Sequence, residues 1–147
     1  MILVDNKRVR FDFELLKEFE AGAELRGFEV KSLREKRGSL TGARVVVRGG
    51  EAYLVGATIQ PYQSENTPES YDPERVRRLL LSRKEIAELS GADVEKGLTL
   101  VPIAWYSKGN RLKLSFALAR GRKRHDKREL IKERETKRSI ERTMKRR

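Results

Sequence analysis

Residues 98 to 119 read LTLVPIAWYSKGNRLKLSFALA, two apolar runs on either side of the turn-forming SKGN. In the second run Leu112, Leu114, Phe116 and Leu118 alternate with small or polar residues, the period of two that turns one face of a strand to a core and the other to water. The two runs, 98 to 106 and 111 to 119, therefore predict an antiparallel hairpin. The same alternation sends Trp105 and Tyr106 to opposite faces, so these rings, with Tyr53 and Phe116, form no evident stacking platform.

Working upstream, ARVVVR at 43 to 48 and EAYLVGATI at 51 to 59 flank Gly49 and Gly50, which supply the positive φ angles of a tight turn and predict a second hairpin. Between the hairpins, Ser82 and Glu85 make a capping box, Ile86 and Leu89 follow at helical spacing, and Gly91 is placed to stop the helix. Residues 61 to 74, PYQSENTPESYDPE, carry three prolines and many turn formers and read as an exposed loop. Nearer the start, Asp12 is placed to cap a helix over about residues 12 to 20, with Phe13, Leu16 and Phe19 on one side and Gly22 as its stop. Ala23 and Leu25, then Phe28 and Val30, change parity at Gly27, which predicts a strand bent by a β-bulge. Five strands, a bulge and a helix between the third and fourth predict a mainly β fold, an OB-type small barrel with peripheral helices over residues 1 to 119. A flat α+β sandwich is the competing architecture, and no internal repeat is present.

The chain has 147 residues, 37% of them hydrophobic and 38% charged. A domain of this size buries about 70% of its unfolded surface, enough for one core and not two. No run approaches the roughly 20 apolar residues that cross a bilayer. The opening MILVDNKRVR brings charge after too short an apolar run for a signal peptide. With no cysteine and one histidine, disulfide frameworks, thiol nucleophiles and Cys or His metal clusters are excluded, and a reducing compartment, the cytoplasm, is expected.

Lys and Arg number 34 against 22 Asp and Glu, a formal +12. Residues 120 to 147 hold 14 basic and 5 acidic residues, a net of +9, leaving +3 for everything before them. That asymmetry reads as an arm for a polyanion, since each phosphate neutralised by Lys or Arg releases counterions; a solvated tail kept for solubility is the bland alternative. Pro and Gly vanish from Asp126 onward, and Glu133 with Lys137 and Glu141 with Lys145 are spaced to pair on a helix. Leu130, Ile131, Ile140 and Met144 are too scattered for a continuous apolar stripe. The tail is thus expected to be disordered when free and helical only on binding. If helical throughout it would reach roughly 40 Å.

No catalytic constellation accompanies these features. His125 has no Ser or Cys partner signature, and Glu18 and Glu20 read as solvated carboxylates. The chain is expected to be a monomeric, non-enzymatic protein with no cofactor and no metal. For a polyanion binder, the charge pattern admits a ribosomal structural protein whose tail threads through rRNA, or a general single-stranded RNA binder.

Several strings, in order, carry a resemblance: NKR from Asn6, FEAG from Phe19, GFEVKSLR from Gly27, LLL from Leu79, GLTLVP from Gly97 and ALARGRKRHDKRELIKERE from Ala117. They resemble the SsrA-binding protein family, also called small protein B, over about residues 5 to 145. The resemblance implies an OB-type barrel with added helices. It also implies a protein that binds the tRNA-like domain of transfer-messenger RNA, accompanies it into stalled ribosomes, and permits nascent-peptide tagging and ribosome rescue without a chemical step of its own.

By that resemblance Asn6, Glu20, Leu80 and Lys113 face the RNA, and the tail from Arg122 through Arg128 enters the vacant decoding region and mRNA path. Asn6 both donates and accepts, as reading a base edge or a 2′-hydroxyl requires, although a turn residue would look the same. Glu20 carries the phosphate's sign, so it would specify by accepting from a guanine edge or ribose hydroxyl; as a plain helix end it would do nothing. Leu80 packs on an unstacked base or fills the core, and alternation exposes Lys113 for a phosphate. His125 suits stacking on an rRNA base, Lys127 and Arg128 suit phosphates, and Asp126 suits holding a basic neighbour. Arg122, Lys123 and Arg124 read as general phosphate contacts.

Overall fold

The computed structural model describes residues 1–63, 67–92 and 97–145. In chain order its elements are β1 (Ile2–Asp5), α1 (Val9–Asp12), β2 (Phe13–Ala23), α2 (Gly27–Arg34), β3 (Gly38–Ser39), β4 (Arg44–Arg48), β5 (Glu51–Val55), β6 (Thr58–Ile59), β7 (Arg77–Leu80), α3 (Arg83–Ala92), β8 (Leu98–Lys108), β9 (Arg111–Gly121) and α4 (Arg124–Lys145). The large sheet runs β1-β8-β4-β5-β7-β2-β9, and β8 also pairs with β9, so it closes into a barrel. β3 and β6 form a separate two-stranded ladder. The fold is mainly β with peripheral helices, as the alternation of the hairpins leads one to expect.

Both hairpins are present. Gly49 and Gly50 have φ of 58° and 75°, the left-handed geometry that a two-residue hairpin turn needs and that side chains with a Cβ resist; Arg48 and Glu51 close the ladder behind them. β8 and β9 pair from Leu98↔Arg120 to Lys108↔Arg111. The α3 cap is also as expected: the Ser82 hydroxyl accepts the Glu85 N–H at 3.2 Å, and the Ser82 N–H donates to the Glu85 carboxylate at 3.2 Å. The helix continues through Gly91 to Ala92 rather than stopping at the glycine.

Two segments exchange type relative to the sequence expectation. Residues 13 to 20 are not helical; α1 ends at Asp12, and Phe13–Ala23 is the long strand β2. Phe13, Leu15, Phe19 and Ala21 alternate as well as Phe13, Leu16 and Phe19 keep helical spacing, and pairing with β9 from Phe13↔Gly121 to Ala21↔Leu114 decides between them. Phe19 then stacks on Phe116 at 5.5 Å. The register shifts between Leu15 and Lys17, so a bulge lies here and not at Gly27. Residues 27 to 34 are conversely a helix, whose buried Glu29, Ser32 and Leu33 stand three and four apart on one side.

The barrel has more strands than the five expected. β1, β3 and β7 were not anticipated, and the run 51 to 59 is broken at Gly56, where φ is 83°, so that Thr58–Ile59 joins the second ladder. The outer face of β9 is also not wet throughout. Ala117 and Ala119 are fully buried, Ala119 packing with Val9 of α1 and Val101.

The interior holds Trp105, Phe116, Leu54, Leu79, Leu100 and Leu114, none more than 1% exposed, each burial contributing roughly 1.5–3 kcal/mol. Beside it lies a buried polar cluster. Glu29 and Arg77 are both 0% exposed, with Arg77 Nη2 and Nε donating to Glu29 Oε2 at 2.7 and 3.1 Å. Arg75 and the Arg26 N–H also donate to the carboxylate. Tyr71 reaches in from the loop after β6, its hydroxyl 2.9 Å from Glu29 and 3.0 Å from the Ile59 carbonyl. The segment 61 to 74 is therefore not simply an exposed loop: Tyr71 is buried and pins it, while residues 64–66 lie outside the described residues. Burial pushes the Glu29 pKa up, but the hydrogen bonds from Arg75, Arg26, Arg77 and Tyr71 outweigh it and hold it at about 2.

Candidate nucleic-acid interface

Strand register builds one outer face of the barrel from β7, β2, β9 and β8. Glu20 on β2 stands opposite Ser115 on β9, Lys113 opposite Tyr106 on β8, and Gly22 opposite Leu80 on β7. Side chains two apart on a strand share a face, so Glu20, Lys113, Tyr106 and Leu80 come together although they are far apart in sequence. Leu80 is 48% exposed, which removes it from the core and leaves an apolar group at the surface. It lines a groove of about 400 Å³ with Leu25, Val30, Leu112, Arg111 and Lys113. The groove joins apolar walls to cations at one end, a combination suited to an unstacked base flanked by phosphates.

Glu20 lies in the middle of a strand, not at a helix end. Tyr106 donates its hydroxyl hydrogen to Glu20 Oε2, and Lys108 Nζ approaches Oε1 at 3.4 Å. The Tyr106 hydrogen bond lowers the Glu20 pKa, with Lys108 and Lys113 adding positive potential. Burial and the facing carboxylate push the Tyr106 hydroxyl up to about 12. Glu20 is thus a fixed anion and an acceptor. Tyr106 and Lys108 were missed by sequence reasoning, because only the β8–β9 and β2–β9 registers taken together bring them to Glu20.

Asn6 is not part of this face. It forms the turn between β1 and α1: its N–H donates to Ile103 O at 2.8 Å, its Nδ2 to Pro102 O at 2.9 Å, and its carbonyl accepts the Val9 N–H at 3.1 Å. It borders a separate cleft of about 320 Å³ with Arg8, Asp12, Thr41 and Arg44. Those contacts fit the turn role, and they leave Oδ1 without a partner among the described residues.

The tail is a helix, α4, attached to the barrel through its first turns. The Arg122 N–H donates to Asp12 O at 2.8 Å and its Nε to Arg10 O at 3.2 Å, which extends the edge of the β2–β9 ladder. Lys123, whose N–H donates to Asp126 Oδ2 at 3.2 Å, precedes Arg124, the first residue of α4. Asp126 thus closes the helix N-terminus instead of holding a basic side chain. Lys127 pairs with Asp12 at 3.1 Å and lies 5.7 Å from the centre of the Phe11 ring, with Arg134 at 5.9 Å and Arg8 at 5.3 Å. His125 is 80% exposed and 3.1 Å from Glu129, and Arg128 is exposed. No ion pair joins Glu133 to Lys137 among the described residues, and the side chain of Lys145 lies outside them. Leu130 is half-buried while Ile131, Ile140 and Met144 are exposed, so no continuous apolar seam runs along α4 among the described residues. Phe11, which sequence reasoning did not single out, and Asp12, which it took for the cap of a helix that is instead strand β2, are the docking residues.

The family described as SmpB protein matches residues 3–146. The chain is 46% identical to the SsrA-binding protein of Gloeothece citriformis over 145 residues, covering 99% of this chain and 94% of that one. It is 48% identical to the SsrA-binding protein of Gloeobacter violaceus over 145 residues, covering 99% and 95%. Among solved structures it is similar to a chain described under "tmRNA-SmpB: a journey to the center of the bacterial ribosome", with a TM-score of 0.69 and 40% identity, covering 86% of this chain and 92% of that chain.

Proposed function

This chain belongs to the SmpB protein family, the SsrA-binding proteins, and from that membership we propose that it is the RNA-binding adaptor of trans-translation. It binds the tRNA-like domain of transfer-messenger RNA and delivers it to stalled ribosomes, enabling nascent-peptide tagging and ribosome rescue. The observation that carries this is the extent of the family match, residues 3–146, which takes in the basic tail as well as the barrel. A small barrel alone serves many functions; a barrel joined to this tail narrows them.

The geometry supports a division of labour. The Leu80 groove offers an apolar wall for a base, Lys113 a cation for a phosphate, and Glu20 an anionic acceptor that rewards an N–H or O–H donor and repels a misplaced phosphate. Asn6, in its separate cleft, adds an acceptor at a second point of contact. On the ribosome, α4 occupies the vacant decoding region and mRNA path. Exposed His125 stacks on rRNA, and Arg122, Lys123, Arg124, Lys127 and Arg128 meet phosphates, with Asp126 keeping the first turn closed. Barrel and RNA domain together fill the space of a tRNA while the tail supplies the codon-side contacts. The protein contributes binding and placement and no chemical step. It acts as a monomer in the cytoplasm; no helix among the described residues is long and apolar enough to cross a membrane.

The test compares the full chain with one ending at Lys123, which keeps the whole of β9. Both are titrated with the tRNA-like domain and with an ordinary tRNA across a salt series, and both are assayed for peptide tagging on stalled ribosomes. Retained preference for the transfer-messenger domain with lost tagging supports the division. Equal affinity for both RNAs, collapsing when the tail is cut, points to a nonspecific arm; full tagging by the shortened chain removes the tail from the mechanism.

A further inference from the structure

We propose that Tyr106 and Lys108 are positioning residues for RNA recognition, holding the Glu20 carboxylate in one orientation so that its remaining lone pairs select a hydrogen-bond donor of an unpaired nucleotide. This rests on the reading of Glu20 as an RNA contact. An exposed glutamate on a flexible stem is a poor reader, because fixing its rotamers on binding costs entropy that cancels much of the hydrogen bond gained. Here the cost is met before RNA arrives. Oε2 accepts from the Tyr106 hydroxyl and Oε1 faces Lys108 at 3.4 Å, while the side chain stays 46% exposed and lines a surface cavity of about 540 Å³ with Glu18, Phe19, Tyr106 and Ser115.

The strands make this arrangement stiff. Glu20 and Tyr106 do not pair directly; they lie on β2 and β8, the two neighbours of β9, and are bridged by the Ser115 and Lys113 positions between them. Tyr106 is half-buried and moves through two side-chain torsions only, so its hydroxyl has a defined place. Glu20 stays ionised, since the Tyr106 hydrogen bond and the nearby lysines lower its pKa, and a carboxylate accepts without donating. A phosphate oxygen is repelled by the carboxylate's charge, while Lys113 takes it alongside. The pair therefore separates the two kinds of contact on one face: Lys113 attracts and Glu20 discriminates.

The test is a double-mutant cycle in the full-length protein on affinity for the tRNA-like domain, with Tyr106→Phe, Glu20→Gln and both together. Tyr106→Phe keeps the ring and removes only the hydroxyl. The expected result is a loss of roughly tenfold in each single variant, little further loss in the double variant, and an unchanged salt slope in all of them. Fold integrity is read from the same samples by NMR, where amide shifts should change only around residues 20 and 106 and the β2, β8 and β9 ladders should keep theirs. Full affinity in Glu20→Gln overturns the reading of Glu20 and this inference with it. A loss in Glu20→Gln with none in Tyr106→Phe, or additive losses in the double variant, overturns the positioning role alone.

Discussion

The barrel and the tail helix of this protein are held by opposite means. In the barrel, residues such as Trp105 and Leu114 have no exposed surface, and even its charged Glu29 and Arg77 are sealed in. Along α4 Ile131, Ile140 and Met144 are exposed and Leu130 is half-buried, and beyond the Arg122 bonds that precede the helix its root is held by Lys127 to Asp12 and by cations over Phe11. Apolar burial and desolvated ion pairs resist salt, whereas contacts at the surface are screened by it. The barrel is therefore expected to keep its form across salt, and the junction of α4 with it is expected to loosen as salt or a polyanion competes for Lys127.

The largest effect expected from breaking that contrast is in the barrel. Glu29→Gln leaves Arg77 buried without its countercharge, and removing one partner of a buried pair costs about 3–5 kcal/mol, a fall in Tm of roughly 10 °C for a chain of this size. Thermal unfolding followed by near-UV signal from Trp105 measures it. A shift of a degree or two would mean that the cluster is dispensable. The same group sets an acid limit. The Glu29 pKa falls from 4.5 to about 2 on folding, so its stabilisation is complete above pH 4.5 and is lost as pH drops toward 2. Denaturant midpoints measured between pH 6 and 2 should fall over that window in the parent and more shallowly in Glu29→Gln.

How legible these two regions were in the sequence differs for the same reason. The hairpins around Gly49–Gly50 and Gly109, the α3 cap and the basic tail are encoded locally, by turn residues, alternation and charge, and all were readable. Residues 13 to 23 satisfied both a helical and a strand period, and only the β9 partner decides between them. Residues 27 to 34 were misread because the buried side of α2 carries the polar Glu29 and Ser32; Glu29 is satisfied by Arg75, Arg77 and Tyr71 from more than 40 positions away, and Ser32 by the Gln60 carbonyl. For the candidate site, the resemblance pointed to Asn6, Glu20, Leu80 and Lys113, and the strand registers bring the last three to one face while Asn6 stands apart. Tyr106 had no signal until the strand registers set it beside Glu20.

Smaller effects are expected at the tail junction. Phe11 faces Arg8, Lys127 and Arg134, and cation–π contacts at exposed sites contribute about 0.5–1 kcal/mol each. Phe11→Leu keeps an apolar cover over this corner and removes the ring's quadrupole. Amide hydrogen exchange in residues 124 to 135 should accelerate severalfold while exchange in β8 and β9 stays as it was. Acceleration in the barrel as well would show that the two regions are one cooperative unit.

The smallest change is Asp12→Asn, and it tests the junction most directly. Asp12 and Lys127 are each about a third exposed, and ion pairs of that kind contribute roughly 0.2–1 kcal/mol. Global stability should hardly move. The Asp12 carbonyl still receives the Arg122 N–H, so the ladder edge survives and only the side-chain attraction is removed. Far-UV circular dichroism should then show less helix at low salt in the variant than in the parent, with the two converging as salt screens the parent's pair. Affinity for a nonspecific single-stranded RNA should rise slightly, because Lys127 no longer has to leave a carboxylate to reach a phosphate. Equal helix content at every salt concentration would mean that α4 is sustained by its own residues, and the contrast between a fixed barrel and a conditional tail would have to be drawn at the far end of the helix instead of at its root.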